Sequence, residues 1–238
     1  MSLDGSNKGS NKGSDGNDGD DGISWFTSLK YKTGLGTLSE KDKVEYEFKK
    51  NNEKKLKDCQ ACYEYRDWML SYSPTVRFMI EQIDKVAKNS NEKFSSQKIV
   101  CEECNDNTKG GGFHPELGIL ICQDKILDKW HLEDTLSHEL IHYYDNLKFK
   151  VDWFNLKHHA CSEIRASSLS GECRIMAQFW RAAIKNFSRG HQACVKRRAI
   201  LSVQANPNCH GKEEAEKIVN EVWESCFNDT RPFEEIYR

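Results

Sequence analysis

The sequence predicts a mainly helical α+β domain with a small β-sheet, preceded by a polar tail. Three observations carry that expectation. Apolar residues recur at three- and four-residue intervals after Pro74, residues 119–122 form one short β-branched run, and most of the chain beyond Trp130 has helical periodicity. With 238 residues, 37% of them hydrophobic, the chain is long enough to bury one core of ordinary size.

Residues 1–22 are almost entirely Ser, Gly, Asn, Asp and Lys and repeat a Gly-Ser-Asn-Lys theme, so they are expected to be a disordered tail. Residues 23–238 are then expected to form a single domain. The tail holds five Asp against Lys8 and Lys12, net −3, which leaves the remainder of a chain of net charge −2 at +1. A near-neutral domain is not that of a dedicated nucleic-acid binder. The tail shows neither an Arg-rich amphipathic presequence nor an apolar signal core, and no apolar run approaches the roughly 20 residues of a membrane span.

Residues 39–57 are charged and free of Gly and Pro, which predicts a solvent-facing helix with Val44 and Phe48 on one face and Tyr46 off it. After Pro74, the spacing of Val76, Met79, Ile80, Ile83 and Val86 predicts an amphipathic helix packed on the core. The Gly110-Gly111-Gly112 run marks a break, either a cleft lip or a linker. Residues 119–122, bounded by Gly118 and Gln123, read as the main strand. Helices are expected over 133–147, 157–170, 173–187, 191–204 and 212–226, with Glu133 and Asp134 at one start and Gly171 at a C-terminal position. Trp25 and Phe26 read as an anchor returning the chain to the core, Lys196-Arg197-Arg198 as a solvated helix face, and Trp223 and Phe227 as core.

The segment that carries chemistry is His138-Glu139-Leu140-Ile141-His142, an H-E-x-x-H sequence inside a helical stretch. One helical turn separates the two histidines, so both imidazoles project from one face and can bind a single Zn²⁺. Glu139 beside them can handle the proton of the water that such an ion activates, which is the chemistry of peptide hydrolysis. With the His and Glu content of this chain, chance supplies about 0.02 such matches. The uncharged neighbours Thr135, Ser137, Leu140, Ile141 and Tyr143 suit a helix buried beneath a cleft.

A catalytic zinc takes three protein ligands and leaves one position open. Glu163 is favoured as the third, because its distance from His142 lets a second helix return antiparallel and present a carboxylate. Asp145 is the alternative, as a ligand or as a group that orients an imidazole. His158 and His159 are weaker candidates. Peptidases of this kind bind substrate along a strand edge, and residues 119–122 supply either that edge or an interior strand.

Cysteines stand at positions 59, 62, 101, 104, 122, 161, 173, 194, 209 and 226. That content is high for a reducing compartment, and disulfides are the reading that uses all ten. A zinc ribbon on the two C-x-x-C pairs, 59/62 and 101/104, and a redox-active pair are the alternatives.

Several segments, taken with the H-E-x-x-H motif, resemble a known family. They are Val151-Asp152-Trp153, Ala160-Cys161-Ser162-Glu163-Ile164-Arg165-Ala166, Leu169-Ser170-Gly171-Glu172-Cys173, Cys194-Val195, Arg198-Ala199-Ile200-Leu201-Ser202, Ser225-Cys226-Phe227-Asn228-Asp229-Thr230 and Pro232-Phe233. Together, over about residues 30–233, they resemble the mitochondrial inner membrane metalloproteases that also assist ATP synthase assembly. The resemblance implies a zincin-like fold, one catalytic Zn²⁺, and His138, Glu139 and His142 as catalytic residues. It implies a protein of the intermembrane space in peripheral contact with the inner membrane, brought in by an oxidative import machinery. The implied substrate is the precursor of ATP synthase subunit 6, and the implied partners are F0 subunits of that enzyme. Within the same resemblance, a mainly non-proteolytic assembly chaperone and a partner of the Ku DNA-repair protein stand as alternatives. The near-neutral charge argues against direct contact with nucleic acid.

Overall fold

The computed structural model describes residues 25–33, 39–87, 94–105, 109–174 and 190–234. The expected tail over 1–22, most of the expected helix over 173–187, and the side chains of Trp25 and Phe26 lie outside the described residues. The chain forms two compact units that part between Lys54 and Lys55.

The first unit holds helix α1 (Trp25–Thr33) and the start of a long helix α2 (Glu40–Tyr72). Ser39 and Asp42 cap α2 reciprocally, each side chain accepting the other's backbone N–H at 3.2 and 3.3 Å. The expected face is reversed here. Val44 and Phe48 are both 66% exposed, whereas Tyr46 is buried, its ring stacked on Tyr31 with centroids 4.3 Å apart. Four-residue spacing gave Val44 and Phe48 a stripe but no partner, and the aromatic pair decided which side is covered.

The second unit begins with the rest of α2, which runs well past residue 57 and buries Cys62 and Met69. Ser73 ends it and caps helix α3 (Pro74–Val86), its hydroxyl accepting from Val76 N at 3.2 Å with Pro74 in the first turn. Val76, Met79 and Ile83 of α3 are buried, as the spacing predicts. A three-stranded sheet follows in the order β1-β3-β2, with β1 (Ile99–Glu102) parallel and β2 (Gly111–His114) antiparallel to β3 (Gly118–Cys122). Of the two readings of residues 119–122 the interior one holds, since the strand is central and paired on both sides, and the glycine run is not a linker, because Gly111 and Gly112 belong to edge strand β2.

Glycine is required at both ends of that hairpin. Gly118 has φ +96°, and a Cβ there would stand 2.4 Å from the Lys98 carbonyl oxygen. A Cβ on Gly111 would meet the Leu120 carbonyl oxygen at 2.8 Å and the Thr135 methyl at 3.2 Å. The missing side chain lets β2 lie directly on helix α4 (Lys129–Phe149).

Helix α4 starts earlier than its acids suggest, because Asp128 caps it by accepting His131 N at 2.8 Å. Asn155 caps helix α5 (Leu156–Leu169) through Lys157 N and His158 N. Helices α6 (Gly190–Gln204) and α7 (Lys212–Phe227) close the fold near their expected bounds. One apolar core joins α2, α3, the sheet and α4, and a second joins α5, α6 and α7, where Trp223 and Phe227 stack at 4.6 Å. Both α4 and α5 are thereby gripped along their lengths, which is what a site between them needs.

Disulfides join Cys62 to Cys101, Cys104 to Cys122, Cys161 to Cys226 and Cys173 to Cys194. The C-x-x-C spacing therefore pairs nothing within itself, and three of the four cysteines of the ribbon alternative are consumed. The expectation of ten bonded cysteines is corrected to eight, since Cys59 and Cys209 are thiols.

Candidate metal centre

Helix α4 presents a continuous buried stretch through Leu136, Ser137, His138, Glu139, Leu140, Ile141 and His142. On its polar side the Nε2 atoms of His138 and His142 face each other at 3.0 Å. From α5, Glu163 places Oε2 3.6 Å from His138 Nε2 and Oε1 3.4 Å from His142 Nε2. These three residues form a group whose donor atoms all lie within 4.8 Å of one another. A tetrahedral zinc with ordinary bond lengths sets its ligand atoms about 3.3 Å apart, close to these separations.

The outer nitrogens show which way the inner ones point. His142 Nδ1 lies 2.8 Å from Ser162 Oγ, and the only hydrogen of that hydroxyl is donated to Asp145 Oδ2 at 3.0 Å. Ser162 must then accept from His142 Nδ1–H, leaving the Nε2 lone pair inward. His138 Nδ1 lies 3.1 Å from Glu172 Oε1, a carboxylate also bound by Arg198 Nε at 2.6 Å. Burial opposes ionisation of Glu172, but His138 and Arg198 outweigh it and hold the carboxyl at about 2. It accepts from His138, so both inward nitrogens are free to ligate a cation.

The charges agree. Burial works against a charged His138, yet Glu172 and Glu163 outweigh it and raise the imidazole well above its usual range. Burial likewise opposes ionised Glu163, but His142, His138 and His159 hold it well below the usual carboxylate range. The pocket is built to hold positive charge. Glu139, buried like the other two acids of the site, differs from them: its pKa is raised by that burial, and among the described residues it makes no hydrogen bond or ion pair.

Asp145 stands outside the group of donor atoms. Its carboxylate is held by Arg165, with Nη2 at 2.9 Å and Nε at 3.1 Å, and reaches the site only through Ser162. Of the two candidates for third position the structure brings Glu163 to the imidazoles and sets Asp145 behind one of them. His158 Nδ1 accepts from Asp152 N at 3.2 Å, away from the site.

His159 is closer, and its hydrogen-bond pattern is determined. Asn206 Oδ1 accepts from Asn208 N at 3.0 Å, so its amide nitrogen is the group that donates to the Trp153 carbonyl and to His159 Nδ1, each at 2.9 Å. The hydrogen of neutral His159 is then on Nε2, which stands 3.4 Å from Glu163 Oε1. Ser202 Oγ faces the same nitrogen at 3.3 Å, so His159 directs a donor toward Ser202 and Glu163 and is not a fourth ligand. Trp153 closes the layer, its ring centroid 5.5 Å from that of His142 and 6.2 Å from that of His159.

Sequence reasoning missed Glu172, Ser162 and Arg198, and had His159 only as a weaker ligand candidate. A signal for Glu172 was present: Gly171, at φ +102°, ends α5 in the left-handed conformation and turns the next residue back toward α4. Arg198 was read as part of a solvated face, but it reaches inward to Glu172.

An H-E-x-x-H helix whose imidazoles meet a carboxylate from the following helix, with an unpaired buried glutamate between them, defines a metallopeptidase. Residues 60–234 match the model of the Peptidase M76 family, and the chain belongs to that family. The chain is similar to the protein named mitochondrial inner membrane protease ATP23 in Saccharomyces cerevisiae strain S288c, at 62% identity over 217 residues, covering 90% of this chain and 95% of that one. It is also similar to the proteins of the same name in Candida glabrata, at 61% over 220 residues, and Eremothecium gossypii, at 57% over 219 residues. Those alignments cover 90% of this chain and 96% and 88% of the relatives. No solved structure matches the chain.

Proposed function

We propose that the chain is a zinc-dependent endopeptidase in which His138, His142 and Glu163 hold one Zn²⁺ and Glu139 is the proton carrier. The observation that carries this reading is the convergence of three donor atoms beside a buried glutamate that makes no hydrogen bond or ion pair among the described residues. Zinc, when bound there, supplies acidity to water and polarisation to the scissile carbonyl. Glu139 takes the proton of the attacking water and delivers it to the departing amine nitrogen, a role its burial-raised pKa suits. Glu172 and the Ser162–Asp145 pair keep the imidazoles turned inward, and His159 steadies Glu163. Strand β2 is the sheet edge beside α4, and an extended polypeptide adds to it there.

The setting we propose is the intermembrane space, in surface contact with the mitochondrial inner membrane. The names of the relatives and the four disulfides, which suit an oxidative import route, support it. The family resemblance supports an ATP synthase F0 subunit precursor as substrate and an assisting role in F0 assembly. Residues 23–238 are proposed as one metallopeptidase domain, supported by a family match that runs through 60–234.

Glu139→Gln tests the mechanism. Peptide cleavage is expected to fall by about 10²–10⁴-fold while the variant keeps its zinc, because a base is lost but no ligand is. Undiminished cleavage would remove Glu139 from the reaction. In cells the same variant separates the two activities: precursor accumulates while F0 still assembles if assembly is a distinct function of the chain.

A further inference from the structure

Around the start of α4 exposed aromatic side chains gather about a lysine. Trp68, partly buried against the core, is met edge-on by Trp130 with centroids 6.1 Å apart, and the Tyr72 ring lies 5.5 Å from that of Trp68. Trp130 is 59% exposed, Tyr72 66% and Leu127 81%. The Lys129 ammonium sits over both indoles, 3.7 Å from the Trp68 ring centroid and 4.9 Å from that of Trp130. It makes no ion pair among the described residues, while the neighbouring acids are engaged elsewhere: Asp67 with Arg66, Asp128 with His131 N, and Glu133 with the Ser73 hydroxyl.

From this cluster we infer a membrane-contact site, in which Trp130, Tyr72 and Leu127 enter the headgroup boundary of a phospholipid bilayer and Lys129 meets its phosphates. The inference rests on the inner-membrane setting proposed above. Indole and phenol rings pair an apolar body with a polar edge and favour the boundary between hydrocarbon and water. An ammonium held over such rings, with no carboxylate paired to it among the described residues, places a positive charge beside the apolar side chains and is complementary to the phosphate layer. No described helix is long and apolar enough to cross a membrane, and this patch supplies an attachment that needs none. It also sets the reach of the enzyme. Trp130 precedes His138 by eight residues on one helix, a rise of about 12 Å, so the metal centre lies within reach of chain that emerges just above the bilayer.

The test is flotation of the full-length protein with vesicles of phosphatidylcholine alone or mixed with phosphatidylglycerol. The double variant Leu127→Ser/Trp130→Ser is expected to lose roughly tenfold or more of the bound fraction on both vesicles. Lys129→Glu is expected to weaken binding chiefly on the anionic ones. Cleavage of a soluble peptide, unchanged in both variants, certifies their fold. Equal flotation of wild type and the double variant would overturn the patch while leaving the membrane setting intact. Wild type that floats with neither vesicle would overturn the setting and the patch together. Concentration-dependent self-association that the double variant abolishes, with vesicle binding unaffected, would reassign the patch to a contact between copies of the chain.

Discussion

Asn206 is far from the H-E-x-x-H motif in sequence, yet its amide decides which nitrogen of His159 carries hydrogen. Asn206→Ala removes that constraint, and zinc affinity, measured by competition with a chromophoric chelator, is expected to fall about 10–100-fold with the ligands unchanged. Equal affinity would make the Asn206–His159 pair structural only. Asp145 allows a sharper distinction. Its partner Arg165 is 2% exposed and also meets Asp229 at 2.7 Å, so Asp145→Ala removes one of two counter-charges, leaves buried donors unmatched, and is expected to destabilise the fold by about 1–3 kcal/mol in urea denaturation. Zinc stoichiometry is expected to stay at one per chain, whereas His138→Ala and Glu163→Ala are expected to abolish it; loss of zinc in folded Asp145→Ala would return Asp145 to the ligand set.

Among the elements, β2 and α4 depend on each other through a residue without a side chain. Gly111→Ala puts a methyl 2.8 Å from the Leu120 carbonyl oxygen and in contact with Thr135 and Glu139, so the strand must lift from β3 or from the helix. Overpacking of this kind costs about 1–3 kcal/mol. Cleavage is expected to fall well beyond any change in zinc content, because the strand and Glu139 are disturbed while the ligands on α4 and α5 are not; parallel loss of both would show that β2 supports the metal centre itself. This also explains why the glycine run was misread. A glycine-rich stretch signals a loop to any local reading, and only the neighbouring helix shows that the missing side chains make room for a contact.

At the scale of the whole molecule, four disulfides bind segments that local sequence does not link, with Cys161–Cys226 spanning 65 positions between α5 and the end of α7. Alkylation of the denatured, unreduced protein followed by mass spectrometry is expected to mark two residues, Cys59 and Cys209. Labels on any of the other eight, or on none, would overturn this pairing.

The sequence by itself determined the described helices after Trp130, the amphipathic α3 and the H-E-x-x-H helix, and it placed Glu163 ahead of Asp145 as the carboxylate to meet the imidazoles. These are properties of period and spacing: a helix repeats every 3.6 residues, so a motif within one turn carries its own geometry. Tertiary structure alone decided the rest. It chose Tyr46 over Val44 and Phe48 as the covered side, set residues 119–122 at the middle of the sheet, paired the cysteines, and brought Glu172, Ser162, His159 and Asn206 around His138, His142 and Glu163. Those outcomes depend on which distant surfaces meet, and hydrogen-bond partners contributed by separate helices leave no period in the chain for a local pattern to show.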